Sequence, residues 1–152
     1  MRPGVFVLIR DRIGRYLMLE RADGRGIEFI KGGVEIGESF KDAVVRETEE
    51  EIGMKVYQEE LIELPLALSF TFPLKEGYEI RIYKGFLIIK NEIDIKMLLL
   101  DRFFSSAKLI HLNDISKLIS FSEYYEIMKE ADKLLKKKFD LILGINKIRH
   151  LL

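Results

Sequence analysis

The sequence predicts an α+β domain in which a mixed β-sheet is flanked by helices, and three observations carry that expectation. Runs rich in Val, Ile, Leu, Phe and Tyr recur at residues 4–10, 15–20, 66–72 and 78–90, broken by Gly, Pro and Asp turns, as short strands require. An acidic amphipathic helix follows the first two runs, starting after Ser39 and stopping at Gly53. From residue 113 onward the apolar positions recur at helical spacing. With 152 residues and 48% apolar content the chain suits one domain with a real core, expected over 1–152.

Taken in order, residues 4–10 and 15–20 read as strands joined by a turn at 11–14, and 21–26 as a polar loop. The acidic helix comes next. Ser39 with Asp42 three residues later fits a capping pattern that sets negative charge at the positive helix end. Gly53 supplies the stop. On the helical wheel Val45, Thr48 and Ile52 lie opposite Glu47, Glu50 and Glu51, so the three acids are expected on an outward face, with Glu49 solvated elsewhere. The Thr48 hydroxyl can bond the Val44 carbonyl one turn back.

Residues 55–64, 66–72 and 78–90 then read as strands, the last two connected through 73–77, and 107–112 as a short one. Residues 113–119 and 122–138 look helical, with Ser122 as the cap of the second and Leu134 and Leu135 on its buried side. Leu141, Ile145, Ile148 and Leu152 predict a terminal helix over 139–152 that docks on the domain or on a partner subunit, so the tail permits a homodimer. Gly144 weakens that helix by ~1 kcal/mol, which favours docking over free standing.

Composition excludes several classes. The 25 basic and 25 acidic residues cancel, which argues against a general binder of nucleic-acid duplexes. Without cysteine there are no disulfides, zinc thiolates or thiol nucleophiles. No amino-terminal stretch looks like a signal peptide and apolar runs such as 86–89 are too short to span a bilayer, so a cytoplasmic protein with no membrane partner is expected. Lys136, Lys137 and Lys138 read as complements to a helix dipole, and neither His111 nor His150 suggests a role.

The chemistry is concentrated in the helix. Glu47, Glu50 and Glu51 fall at i, i+3 and i+4 and crowd one side of it. At ~4 Å each pair repels by about 4 kcal/mol at an effective dielectric near 20. Glu-rich helices are commonly just solvated faces. Here, however, Gly32, Gly33 and Gly37 precede the helix and let the chain approach a ligand closely. A divalent cation would turn the repulsion into binding, and hard oxygen donors suit Mg²⁺ or Mn²⁺.

The spacing Gly32, five residues, Glu38, seven residues, Arg46-Glu47, two residues, Glu50-Glu51, one residue, Gly53-Met54 resembles the signature box of the Nudix hydrolases, here at 32–54. Thr48 departs from the aliphatic residue usual there, on the core side of the helix. The resemblance implies an α/β/α sandwich and hydrolysis of a nucleoside diphosphate linked to X, by water attack on a phosphorus of the pyrophosphate link. It implies Glu47, Glu50 and Glu51 as metal ligands, any of which could also be the general base, and the Lys31 backbone carbonyl as a further ligand. Arg46 resembles the residue that orients the glutamates, and Glu38 a supporting acid.

Many members of that family add an acid from beyond the box. Residues 101–108 contain no glutamate; Asp101 is the nearest candidate, with Glu79, Glu92 and Asp94 behind it, and a solvated loop acid is the first reading of each. For substrate binding, Glu79, Arg81 and Tyr83 share one strand face. Arg81 would suit a phosphate, and Tyr83 or Phe72 a stacked base; cross-strand packing is the other reading. Residues 27–33 resemble the approach to the box in enzymes acting on dinucleoside polyphosphates or nucleoside triphosphates, which rank above ADP-ribose or another sugar nucleotide. The Lys31 ammonium could lie near the polyphosphate. An alternative of another class is a module that senses a nucleotide without turnover, whose support is the absent downstream glutamate.

Overall fold

The computed structural model describes residues 2–119 and 122–151, and in it seven strands form one mixed sheet. The strands are β1 (Arg2–Asp11), β2 (Arg15–Arg21), β3 (Ile27–Glu28), β4 (Ile30–Gly33), β5 (Ile62–Pro73), β6 (Tyr78–Lys90) and β7 (Phe104–His111). The helices are α1 (Phe40–Ile52), α2 (Leu112–Ile115) and α3 (Ser122–Leu151). β1 is the organising strand. It runs parallel to β6 along its full length, while its other edge takes β4 through Gly4–Gly33 to Val7–Ile30 and β2 at Arg10–Tyr16. β5 closes one end of the sheet against β6, and β7 and β3 flank β2.

At β1 the sheet is buried on both faces, which explains why this strand reads as a near-continuous apolar run rather than alternating as β5 does. Val5, Val7, Ile9, Leu17 and Leu19 point into a core shared with Ala43, Val44 and Ile52 of α1. Phe6, Leu8, Tyr16 and Met18 point the other way, into a second core with Ile115 of α2 and Tyr124, Met128 and Leu135 of α3. Helix, sheet and helix thus form three layers, as the family resemblance implied. The Tyr16 hydroxyl donates to Asp132 Oδ1 at 2.9 Å and pins α3 to the sheet from inside.

Several local expectations change. Residues 55–64 are not a strand: a loop and a 3-10 turn (Gln58–Glu60) lead into β5, which starts at Ile62 and passes through Pro65. The glycine turn before α1 contains β3 and β4, whose pairing with β2 and β1 is non-local and leaves little periodicity to read. β7 begins three residues earlier than expected, the helix expected over 113–119 is the single turn α2, and Ser122, expected as a cap, is helical, with the residue before it outside the described residues.

The two carboxy-terminal helices are one, since the propensity cost of a single glycine does not break a helix. Leu135 is the last residue of α3 seen to be buried, and Leu141 is 66% exposed, so at that position the tail does not dock on its own domain. The side chains of Ile145 and Ile148, and Leu152 itself, lie outside the described residues. No described helix is long and apolar enough to cross a membrane.

Candidate active site

Local sequence sets α1 in place at both ends. Ser39 Oγ accepts the Asp42 N–H at 3.0 Å, and the Asp42 carboxylate accepts the Ser39 N–H at 3.4 Å, completing the expected capping box. Gly53 ends the helix in the left-handed region at φ 68°. Added there, a Cβ would meet Leu99 Cβ at 2.8 Å, so the loop before β7 packs directly on the helix end. That loop is tied down by Leu99 N–H to the Ile52 carbonyl and Asp101 N–H to the Glu51 carbonyl, both 2.9 Å. Thr48 is buried with its hydroxyl on the Val44 carbonyl at 2.7 Å, as the wheel required.

The three acids do not share one outward face. Glu50 is exposed, but the Glu47 side chain is only 12% accessible because its carboxyl lies in the space left by Gly32, where a Cβ would stand 2.1 Å from its carboxyl carbon. Glu51 is turned inward as well, and its Oε2 is buried without a hydrogen-bond partner. Burial, with the charges of Glu47 and Glu28 adding to it, pushes the Glu51 carboxyl up to about 9; Lys31 opposes the shift and Asp101 adds to it. Burial likewise raises Glu47, against the pull of Arg46. Glu49 is solvated, as expected.

Arg46 is the hub of the acidic cluster. Its Nε donates to Glu38 Oε2 and its Nη2 to Glu38 Oε1, both at 2.8 Å, in the bidentate geometry that a guanidinium favours. Nη2 also reaches the Gly33 carbonyl at 2.8 Å, while Nη1 donates to Glu47 at 2.8 Å and to Glu50 at 3.3 Å. Glu38 in turn accepts the Glu35 N–H at 3.0 Å, and hydrogen bonds from Arg46 hold its carboxyl down at about 2. One guanidinium therefore couples the turn, the supporting acid and two members of the trio.

A cavity of about 630 Å³ adjoins this cluster, lined among others by Glu28, Lys31, Phe70, Phe72, Tyr83 and Tyr124. Glu28 and Lys31 line the cavity, Lys31 is followed by Gly32, against which the Glu47 carboxyl packs, and the charges of both act on Glu51, so this stretch is the wall shared by cavity and cluster. The Lys31 ammonium is 3.5 Å from Glu28 and sits over the Tyr124 and Phe70 rings at 5.3 and 5.8 Å. Burial is the largest influence and works against its charge, but Glu28 together with Tyr124 and Tyr83 outweighs it and the pKa is raised, so Lys31 stays a cation. A larger groove of about 780 Å³ runs along α1 past Arg46, Glu49 and Glu50 and so touches the acidic cluster, but its wall carries Asp42 and Glu59 and Tyr57 as its one ring.

The predicted residues thus divide. Phe72 and Tyr83 line the cavity. Arg81 does not; it stacks on Phe72 at 4.4 Å, pairs with Glu79 and opens on a small pocket of about 60 Å³ beside Tyr83. Of the four acids beyond the box, Asp101 stands within reach of Glu51, whereas Glu79 pairs with Arg81 and Arg2, and Glu92 and Asp94 lie beside Asp11 and Arg15. His111 is an exposed strand end. Glu28, Phe70 and Tyr124 went unread as site residues. Glu28 carried a signal, being an acid set among the apolar residues Ile27, Phe29 and Ile30; Tyr124 carried none, because on an amphipathic helix it reads as core.

Among the described residues no three acids or histidines form a ready cation cage. The donor set nonetheless suits one hard cation: the inward carboxylates of Glu47 and Glu51, the second with an orphaned oxygen, and the exposed carboxylate of Glu50, beside Gly32 and Gly33 at the end of β4. An α/β/α domain with a glycine turn and an acidic helix at the mouth of an aromatic cavity is the class that fold and site define.

The chain belongs to the Nudix family, whose NUDIX domain description matches residues 1–130. An RNA pyrophosphohydrolase of Teredinibacter turnerae is 36% identical over 76 residues, 49% of this chain and 44% of that protein, so the chain matches less than half the length of this relative. The fold is shared with the dihydroneopterin triphosphate pyrophosphohydrolase of E. coli (TM-score 0.72, 20% identity, 84% of this chain and 92% of that one). It is also shared with a C. elegans Ap4A hydrolase (TM-score 0.67, 17% identity, 90% and 99%) and with the NUDIX domain of Shewanella oneidensis NrtR complexed with ADP ribose (0.68, 13%, 89% and 88%).

Proposed function

We propose that this protein is a divalent-metal-dependent pyrophosphohydrolase that cleaves a nucleoside diphosphate linked to X, with dinucleoside polyphosphates or nucleoside triphosphates as preferred substrates. The observation that carries the reading is the shared wall of Glu28 and Lys31, which joins the Glu47–Glu51 carboxylates to an aromatic cavity large enough for a nucleoside. Held by Glu47, Glu50, Glu51 and the Lys31 carbonyl, Mg²⁺ or Mn²⁺ would neutralise phosphate oxygens and lower the pKa of a water so that a nucleophile exists near neutral pH.

The chain's own residues do the rest. Phe70, Phe72, Tyr83 and Tyr124 offer rings on which a base stacks, and Arg81 braces Phe72 from outside the cavity. The Lys31 ammonium meets the phosphates as they leave the base site for the glutamates. Arg46 and Glu38 hold Glu47 and Glu50 in register. Water oxygen attacks phosphorus, the bridging P–O bond breaks with its electron pair on the departing phosphate, and the proton of the water passes to a carboxylate of the trio. Asp101 adds negative charge beside Glu51.

The similarity to an RNA pyrophosphohydrolase supports this reading, and the fold is one that a dihydroneopterin triphosphate pyrophosphohydrolase and an Ap4A hydrolase also use. The test is incubation with Mg²⁺ or Mn²⁺ and a panel of dinucleoside polyphosphates, nucleoside triphosphates, ADP-ribose and sugar nucleotides. Metal-dependent release of a mononucleotide is expected, fastest from the first two classes. Faster release from ADP-ribose or a sugar nucleotide would shift the substrate, and binding with no release from any of them would favour a sensing module.

A further inference from the structure

The strand β5 is an edge of the sheet: among the described residues it pairs with β6 alone. Such an edge presents unpaired backbone donors and acceptors, and proteins commonly blunt it with charge, proline or a bulge. Here Pro65 and Pro73 stand at the flanks and a bulge lies between Glu63 and Ala67, but residues 66–72 carry neither charge nor proline. The stretch is Leu-Ala-Leu-Ser-Phe-Thr-Phe, strongly β-forming over its second half. Its backbone calls for another strand.

We infer that β5 pairs antiparallel with β5 of a second copy about a twofold axis at Ser69, joining two sheets into one. The segment is self-complementary in that register. Leu68 falls opposite Phe70 of the partner subunit, Leu66 opposite Phe72 of the partner subunit, and Ala67 opposite Thr71 of the partner subunit, so apolar residues pair with apolar ones on the α3 face and small residues pair on the other. Ser69 meets its own copy. A different protein strand would satisfy the backbone equally, but only a second copy gives this match from a single sequence. Pairing also sets Leu66 of the partner subunit beside Phe72, a cavity-lining residue that is 36% exposed in the single chain.

Because Ser69 lies on the axis, a charge placed there meets itself. The experiment is sedimentation equilibrium of the intact protein and of Ser69→Lys and Ser69→Glu, with circular dichroism to establish that each is folded. The parent is expected at twice the 17.8 kDa chain mass and each variant at the single-chain mass. Mixing the two variants should restore the double mass, because Lys then faces Glu. A folded single variant that still dimerises, a mixture that stays monomeric, or a parent that is monomeric at high micromolar concentration overturns the inference. Should either variant fail to fold, Ala67→Lys and Ala67→Glu replace the pair; there Thr71 of the partner subunit is the neighbour, and dimers unweakened by both would overturn it too.

Discussion

The Glu47 carboxyl occupies the space that a side chain at Gly32 would fill, with its carbon 2.1 Å from the ideal Cβ position. Turn and helix therefore fit together only because residue 32 is glycine. Gly32→Ala should destabilise the fold by ~1–3 kcal/mol, the usual cost of overpacking, and should weaken Mn²⁺ binding. Thermal melts with and without Mn²⁺ read both effects. An alanine variant with the parent's melting temperature and metal response would mean that Glu47 has another resting place.

Arg46 serves Glu38, Glu47 and Glu50 through one planar fork, a geometry that lysine cannot copy. Arg46→Lys should lower turnover or metal affinity roughly 10–100-fold, as loss of a residue that orients ligands does. It should also change acid stability. The folded pKa of Glu38, about 2, lies below its ordinary value of 4.5. The contribution is therefore present above pH 4.5 and lost as pH falls toward 2. Urea melts between these values should show a flatter acid limb in the variant.

How much of this was legible beforehand follows from how local each feature is. The capping box at Ser39, the Gly53 stop and the Thr48–Val44 bond depend on residues within a few positions, and spacing alone gave them. The inward turn of Glu47 and Glu51 did not follow from the helical wheel, which knows a helix's phase but not the gap opposite it at Gly32. β3 and β4 were hidden in a glycine-rich segment whose strand character comes from β1 and β2. Position along the chain already ranked Asp101 ahead of the other three acids, but its N–H bond to the Glu51 carbonyl, which sets it at the helix end, is a tertiary contact that spacing does not show. Tyr124 joins Phe72 and Tyr83 in the cavity wall from across the sandwich, a relation that no spacing encodes.

Glu51 gives a pH dependence of opposite sign. Its metal-free folded pKa of about 9 exceeds the ordinary 4.5, so the folded state holds the proton more tightly than the unfolded chain. Stability without metal is therefore highest below pH 4.5 and falls as pH rises toward 9. Glu51→Gln removes that slope, so the metal-free variant should melt higher than the parent at alkaline pH while losing the parent's rise in melting temperature on adding Mn²⁺. A variant that melts lower and still responds to Mn²⁺ would assign the orphaned oxygen a different role.

Phe72 is a cavity wall that can be altered at low structural cost, being partly exposed. Stacking contributes about 1–3 kcal/mol per base, so Phe72→Leu should raise KM on the order of ten- to a hundredfold with little change in kcat. Steady-state kinetics with the best substrate of the panel separates the two. A fall in kcat at unchanged KM would place the ring outside the base site.

The most direct measurement is turnover of a dinucleoside polyphosphate by the chelated and the metal-restored protein, repeated with Glu50→Gln and Glu51→Gln. Turnover that vanishes on chelation, returns with Mg²⁺ or Mn²⁺ and collapses in both variants is the predicted result. Turnover that survives chelation, or persists in both variants, would contradict a cation held by Glu47, Glu50 and Glu51.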